Sequence, residues 1–175
     1  MKEEIKPIDL TAQEVSGILN NRITCIYSSN GLQAVNKNPD KSKFVKIFRA
    51  YPEGPPFFIF KDGTRNYDVW NLDHAEGNIL WGRETWNDSR SPIKPWAGYA
   101  FMPKSACRIF LKITAIHPER LQTALKEEPK EWIMSERWKR NQWIFVMDVK
   151  TIDPKKYAAE NKEFSKWAQK GGLSF

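Results

Sequence analysis

The strand-like segments of this chain are joined by long, irregular connections, and helices do not alternate with them in any regular way. A doubly wound parallel sheet needs that alternation, so the pattern points to an α+β protein with a mostly antiparallel sheet and helices packed outside it. About five to seven strands and three or four helices can be read. A small, partly closed barrel is the architecture such strands build most readily. The 175 residues show no internal repeat and are expected to form a single domain.

Local signals mark the elements. Thr11 followed by Glu14 is a capping box, Val15, Ile18 and Leu19 share one helical face, and Asn20-Asn21 can end the helix in the left-handed region. Strands are expected over 22–27, 44–50, 57–61, 64–70, 79–85, 108–116 and 142–149, with Asp62-Gly63 turning a hairpin. Residues 28–43 are polar and carry little periodicity, which predicts an extended, flexible surface loop. A Pro-rich connection, 91–95, joins two of the strands, and a helical stretch over 121–138 should break near Pro129. Asp153-Pro154 opens a last helix, expected to run to about residue 170 before Gly171-Gly172 stop it.

Composition excludes several functions. No apolar run is long enough to span a bilayer, and the first residues lack a secretory h-region, so a cytoplasmic protein is expected. Cys25 and Cys107 are far apart and read as buried thiols, while His74 and His117 stand alone. Neither metal nor cofactor is expected. The net charge of +7 favours polyanionic partners through phosphate neutralisation. Eight tryptophans supply aromatic surface for a core, for stacking on a base, or for both.

Charge and aromatic surface come together in Leu80-Trp-Gly-Arg-Glu-Thr-Trp86 and in Arg108-Ile-Phe-Leu-Lys-Ile113. A glutamate held against a strand needs a cationic or hydrogen-bonding partner, and Arg108 can meet Glu84. Two roles are open: a buried pair that fixes strand register, or a ligand site. In the second, Arg83, Lys104 and Arg108 stand at the barrel mouth, Gly82 leaves room for a ligand, and Trp81, Trp86 and Trp96 could offer stacking faces, with core packing the favoured reading of each tryptophan taken singly. Arg137, Lys139 and Arg140 beside Trp138 form a further basic stretch, read as a solvated helix face. No G-x-S-x-G, H-E-x-x-H or Gly-rich phosphate loop is present.

The 80–86 segment resembles the Leu-Trp-Val-Arg-Glu-Thr-Trp signature of bacterial and phage ASCH-domain proteins, a branch of the PUA-like superfamily. Phe101-Met-Pro-Lys-Ser-Ala-Cys-Arg-Ile109 is similar to that group's Met-Pro-Arg-Trp-Ala-Ser-Arg-Ile, and the match continues to Gln122. Ile18-Leu-Asn-Asn-Arg-Ile-Thr24 is similar to the family's early Ile-Leu-x-Gly-x-Lys-Thr segment. The resemblance implies a PUA-like, partly closed β-barrel with peripheral helices, in which 28–75 is a family-atypical loop and hairpin insertion. It places a nucleic-acid or modified-nucleoside groove between the early segment and the signature strand.

On that resemblance the expected function is RNA or nucleotide binding, with Arg22, Trp81, Arg83, Trp86, Lys104 and Arg108 as ligand contacts. An alternative is a hydrolase acting on RNA or a modified nucleoside in the cytoplasm of a bacterial host, with Glu84 and Thr24 as its catalytic groups. Ile23 stands where the deacylating relatives carry a catalytic lysine, which turns the expectation from catalysis toward binding. A phage accessory factor with a protein partner is the third reading.

Overall fold

The computed structural model describes residues 4–51, 56–63, 65–69, 74–84, 102–127 and 132–173 of an α+β chain. Trp86, Trp96 and the 91–95 connection lie outside them. The strands form two sheets. The larger has the order β1 (Ile5–Asp9), β6 (Ile79–Arg83), β7 (Phe110–Arg120), β8 (Trp143–Thr151), β2 (Cys25–Ser28). The smaller is β3 (Ser42–Phe48), β4 (Phe57–Asp62), β5 (Arg65–Val69). Among the described residues neither sheet closes on itself. Contacts divide the chain into two compact units: Cys25–Glu76 with Ala115–Asp148, and Lys2–Thr24 with Gly77–Thr114 and Val149–Phe175.

In the second unit, β1 pairs in parallel with β6, and β6 runs antiparallel to β7. β1 has no counterpart among the expected strands because Pro7 interrupts its pattern; an edge position tolerates the missing N–H. Helix α1 (Ala12–Leu19) has the expected reciprocal cap. Glu14 N–H donates to Thr11 Oγ1 at 3.2 Å, and Thr11 N–H donates to Glu14 Oε2 at 2.7 Å. Asn21 then takes the left-handed conformation at φ 54°. Ile79, Trp81, Met102, Cys107, Phe110 and Phe164 form the core of this unit.

The expected C-terminal helix is two helices, α4 (Pro154–Glu160) and α5 (Lys162–Lys170). Asp153 caps the first through Lys155 N–H at 2.9 Å. Asn161 breaks the run because its extended backbone lets its side chain accept Phe164 N–H at 2.9 Å, starting a new helix.

The other unit packs β4 against β8, with Phe58 and Phe145 ring centroids 4.7 Å apart and Phe60 edge-on to Trp143 at 5.2 Å. The β4–β5 hairpin turns at Gly63, whose φ of 57° suits the Asp-Gly signal. The 121–138 stretch holds two helices, α2 (Leu121–Leu125) and α3 (Trp132–Lys139); the first ends at Lys126, which has φ 62°, and Pro129, where the break was expected, lies outside the described residues.

The segment expected as a flexible surface loop is anchored instead. Leu32 and Val35 have no solvent exposure, and a 3₁₀ turn spans Val35–Lys37. Asn36 clamps the backbone of Trp143, donating from Nδ2 to the carbonyl at 2.8 Å and accepting the N–H on Oδ1 at 2.8 Å. A buried amide can do this only where its partner's backbone groups lack other bonds. Replacement of Asn36 by Ala strands both groups of Trp143, so a loss of about 2–4 kcal/mol is expected in urea denaturation. A loss within error would mean that water or a neighbour satisfies them.

Candidate functional site

The signature strand β6 is buried on both faces: Ile79 and Leu80 have no exposure, and Trp81 has 6%. Trp81 packs 6.2 Å from Trp167 of α5, in the same cluster as Phe110. It is therefore a core residue, and the stacking face expected of it is turned to other side chains. Gly82 also differs from expectation. A Cβ there would lie 2.7 Å from Leu10 Cδ1 and 3.2 Å from Ile109 Cβ, so the absent side chain makes room for the core and not for a ligand.

Charged groups begin where the strand ends. Arg83 lies opposite Asp9 in the β1–β6 register, and its Nε donates to Asp9 Oδ1 at 2.7 Å. Glu84 follows, with its side chain 16% exposed. Its two carboxylate oxygens accept from Arg108, Oε1 from Nε at 2.9 Å and Oε2 from Nη2 at 2.7 Å. The Arg108 side chain is 61% exposed. The expected Glu84–Arg108 pair is present, but it is a surface clasp and not a sealed core pair. The carboxylate bond keeps the guanidinium still more firmly protonated than an ordinary arginine.

Asp9, Arg83, Glu84 and Arg108 are thus brought into two adjoining ion pairs. Arg22 and Thr24 are exposed on the connection from α1 to β2, and neither side chain bonds to that group among the described residues. Thr24 contributes its carbonyl to Val149 N–H at 2.8 Å. Ile23 between them lies against α1, where a Cβ on Gly17 would strike it. An apolar side chain fits that place and a lysine would lose it. Lys104 sits on a 3₁₀ turn with its ammonium 4.9 Å from the Trp167 ring centroid, a cation–π contact with α5.

The thiols differ. Cys107 is buried and donates to the Ile109 carbonyl at 3.2 Å, and burial pushes its pKa up to about 11. Cys25 is half-buried, against the fully buried reading, with its thiol 3.3 Å from Tyr27 Oη. Burial, followed by the Cys25 bond, drives the Tyr27 phenol well above its usual range. No group of three or more potential metal ligands exists among the described residues.

The basic stretch of Arg137, Lys139 and Arg140, expected as a solvated helix face with a basic-aromatic patch as the alternative, is exposed. Arg137 and Arg140 also line a polar cleft of about 620 Å³ with Lys37 and Asn36. The signal that could have revealed it is the i, i+3 spacing of Leu32 and Val35, which turns an apparent loop into an anchored wall. No family model, curated protein or solved structure matches the chain.

Gly82→Ala is expected to lower stability by about 1–3 kcal/mol through overpacking against Leu10 and Ile109, read as a shift in the denaturation midpoint. An unchanged midpoint would show that the two side chains move aside freely. For Cys107 the folded pKa lies above the ordinary value of 9.0, so its neutral form's contribution is intact below pH 9.0 and is lost as pH rises through about 11. Iodoacetamide at pH 8 should label Cys25 before Cys107 in the native protein, as mapped by peptide mass spectrometry. The reverse order would contradict the buried placement.

Proposed function

We propose that this protein is a PUA-like module of the ASCH type that binds RNA or another single-stranded nucleic acid at the end of its signature strand. The observation that carries the reading is the exposed Arg108 guanidinium fixed by a mostly buried Glu84. The guanidinium is not sealed in with its carboxylate, so it can serve more than strand register. Here two bonds set the plane of the side chain, and its remaining N–H donors, which have no further partner among the described residues, can meet a phosphate or a base edge.

The resemblance over 79–122 and the net charge of +7 support the same reading, the charge by drawing a polyanion to a site whose own pairs are nearly neutral. On this reading the five-stranded sheet is the described part of a PUA-like barrel, and the 28–75 segment is an addition to it. A hydrolytic role has less support, since Ile23 packs under α1 and both oxygens of Glu84 are held by Arg108.

Fluorescence anisotropy with a labelled single-stranded RNA over a salt series tests the proposal. Arg108→Ala should weaken binding by about 1–3 kcal/mol, with circular dichroism confirming the fold. Glu84→Gln should give a smaller loss by loosening the guanidinium. Absence of binding by the wild-type protein at low salt would overturn the reading.

A further inference from the structure

The cleft in the other unit has a chemistry of its own. Three of its lining side chains, Lys37, Arg137 and Arg140, are cationic, and among the described residues the lining includes no carboxylate. None of the three makes an ion pair among the described residues. The nearest acidic residue on their helix, Glu136, is engaged by Lys139 at 3.1 Å, and Asp40, three residues beyond Lys37, by Arg120 at 2.6 Å. Like charges gathered without a counter-charge repel, and the cost is recovered when an anion enters.

The arginines are held by neutral groups. Arg140 Nη2 donates to the Asn36 carbonyl at 3.2 Å, and Arg137 Nη1 lies 3.5 Å from Ser29 Oγ. Asn36 is itself clamped to Trp143, so the wall that carries Lys37 is fixed relative to the strand that follows Arg140. Cations in the last turn of a helix also favour its dipole, which accounts for Arg137 but not for Lys37 on the facing segment. Gln33 and Gln142 add amide donors.

We infer that this cleft binds the phosphodiester backbone of a single-stranded nucleic acid. Two features select that occupant over a free nucleotide. The cleft is open and polar, and among the described residues no aromatic ring lines it, so these side chains offer phosphate contacts with nothing to stack a base. Contacts of this kind are independent of base sequence. The inference rests on the reading of the protein as a nucleic-acid binder, but on residues that the signature-strand site does not use.

The experiment measures labelled oligo(U), oligo(A) and oligo(C) 20-mers by anisotropy over a potassium chloride series, against wild type, Arg137→Gln/Arg140→Gln, Lys37→Gln and Arg108→Gln. The double variant should weaken all three oligomers alike, by about tenfold at 0.1 M salt, and flatten the slope of log K against log salt by about 1.4. Lys37→Gln should flatten it by about 0.7. The exposed substitutions should leave the thermal melt in place.

Binding that responds to Arg108→Gln but to neither cleft variant overturns this inference alone. Binding that responds to the cleft variants but not to Arg108→Gln supports it and removes the signature-strand site. Wild-type protein that binds none of the oligomers overturns both readings, as does capture by anionic phosphatidylglycerol vesicles in place of RNA.

Discussion

The antiparallel register of β6 on β7 decides where the charged side chains that follow β6 and precede β7 end up. Trp81 stands opposite Phe110, and Gly82 N–H continues the ladder to the Ile109 carbonyl at 2.9 Å. Glu84 and Arg108 therefore leave the sheet at the same end. A slip of one residue would turn Trp81 out of the core and carry Glu84 away from its partner, because side chains alternate faces along a strand. The burial of Ile79, Leu80 and Trp81 makes such a slip costly. Apolar packing thus fixes the polar geometry: the clasp is accurate because the strand behind it cannot move.

In the other unit a polar contact takes the part that apolar burial takes in the first. Residues 28–43 have few large apolar side chains, and two of them, Leu32 and Val35, are completely buried. Two contacts alone would leave the segment free to pivot. Asn36 removes that freedom by imitating a strand neighbour, giving Trp143 the donor and the acceptor that another strand would have supplied. Ser42 adds a bond from its hydroxyl to the Val35 carbonyl at 3.1 Å. The wall of the basic cleft follows from these bonds more than from hydrophobic area.

What was legible in the sequence was local. The Thr11–Glu14 cap, the Asp62-Gly63 turn and the Asp153 cap each satisfy backbone groups within three residues, so their chemistry can be read without knowing the partner. What was missed depends on distant chain. β1 is a strand because β6 is beside it, and the 28–43 segment is ordered because Trp143 lies against Asn36. Gly82 looked like space for a ligand because a sequence does not show that Leu10 fills that space. Asn161 is the one local miss, an N-cap residue inside an apparently continuous helical run. At the candidate site, the meeting of Glu84 with Arg108 could be anticipated from charge on neighbouring strands, whereas the exposure of one partner and burial of the other could not.

The two basic regions hold their arginines in physically different ways. At the end of β6, Arg83 and Arg108 are each bonded to a carboxylate, so their charges are nearly cancelled while their geometry is fixed. In the cleft, Arg137 and Arg140 are held by a hydroxyl and a backbone carbonyl, so the geometry is looser and the full positive charge remains. A cancelled charge contributes little to long-range attraction but a directed donor fork can still discriminate between acceptors. An uncancelled charge attracts phosphate over roughly a Debye length, about 8–10 Å at physiological salt, with little regard for orientation. On the proposed reading the cleft supplies salt-sensitive affinity and the clasp supplies selectivity. The carboxylate that makes Glu84 look catalytic in the sequence is then what makes Arg108 selective.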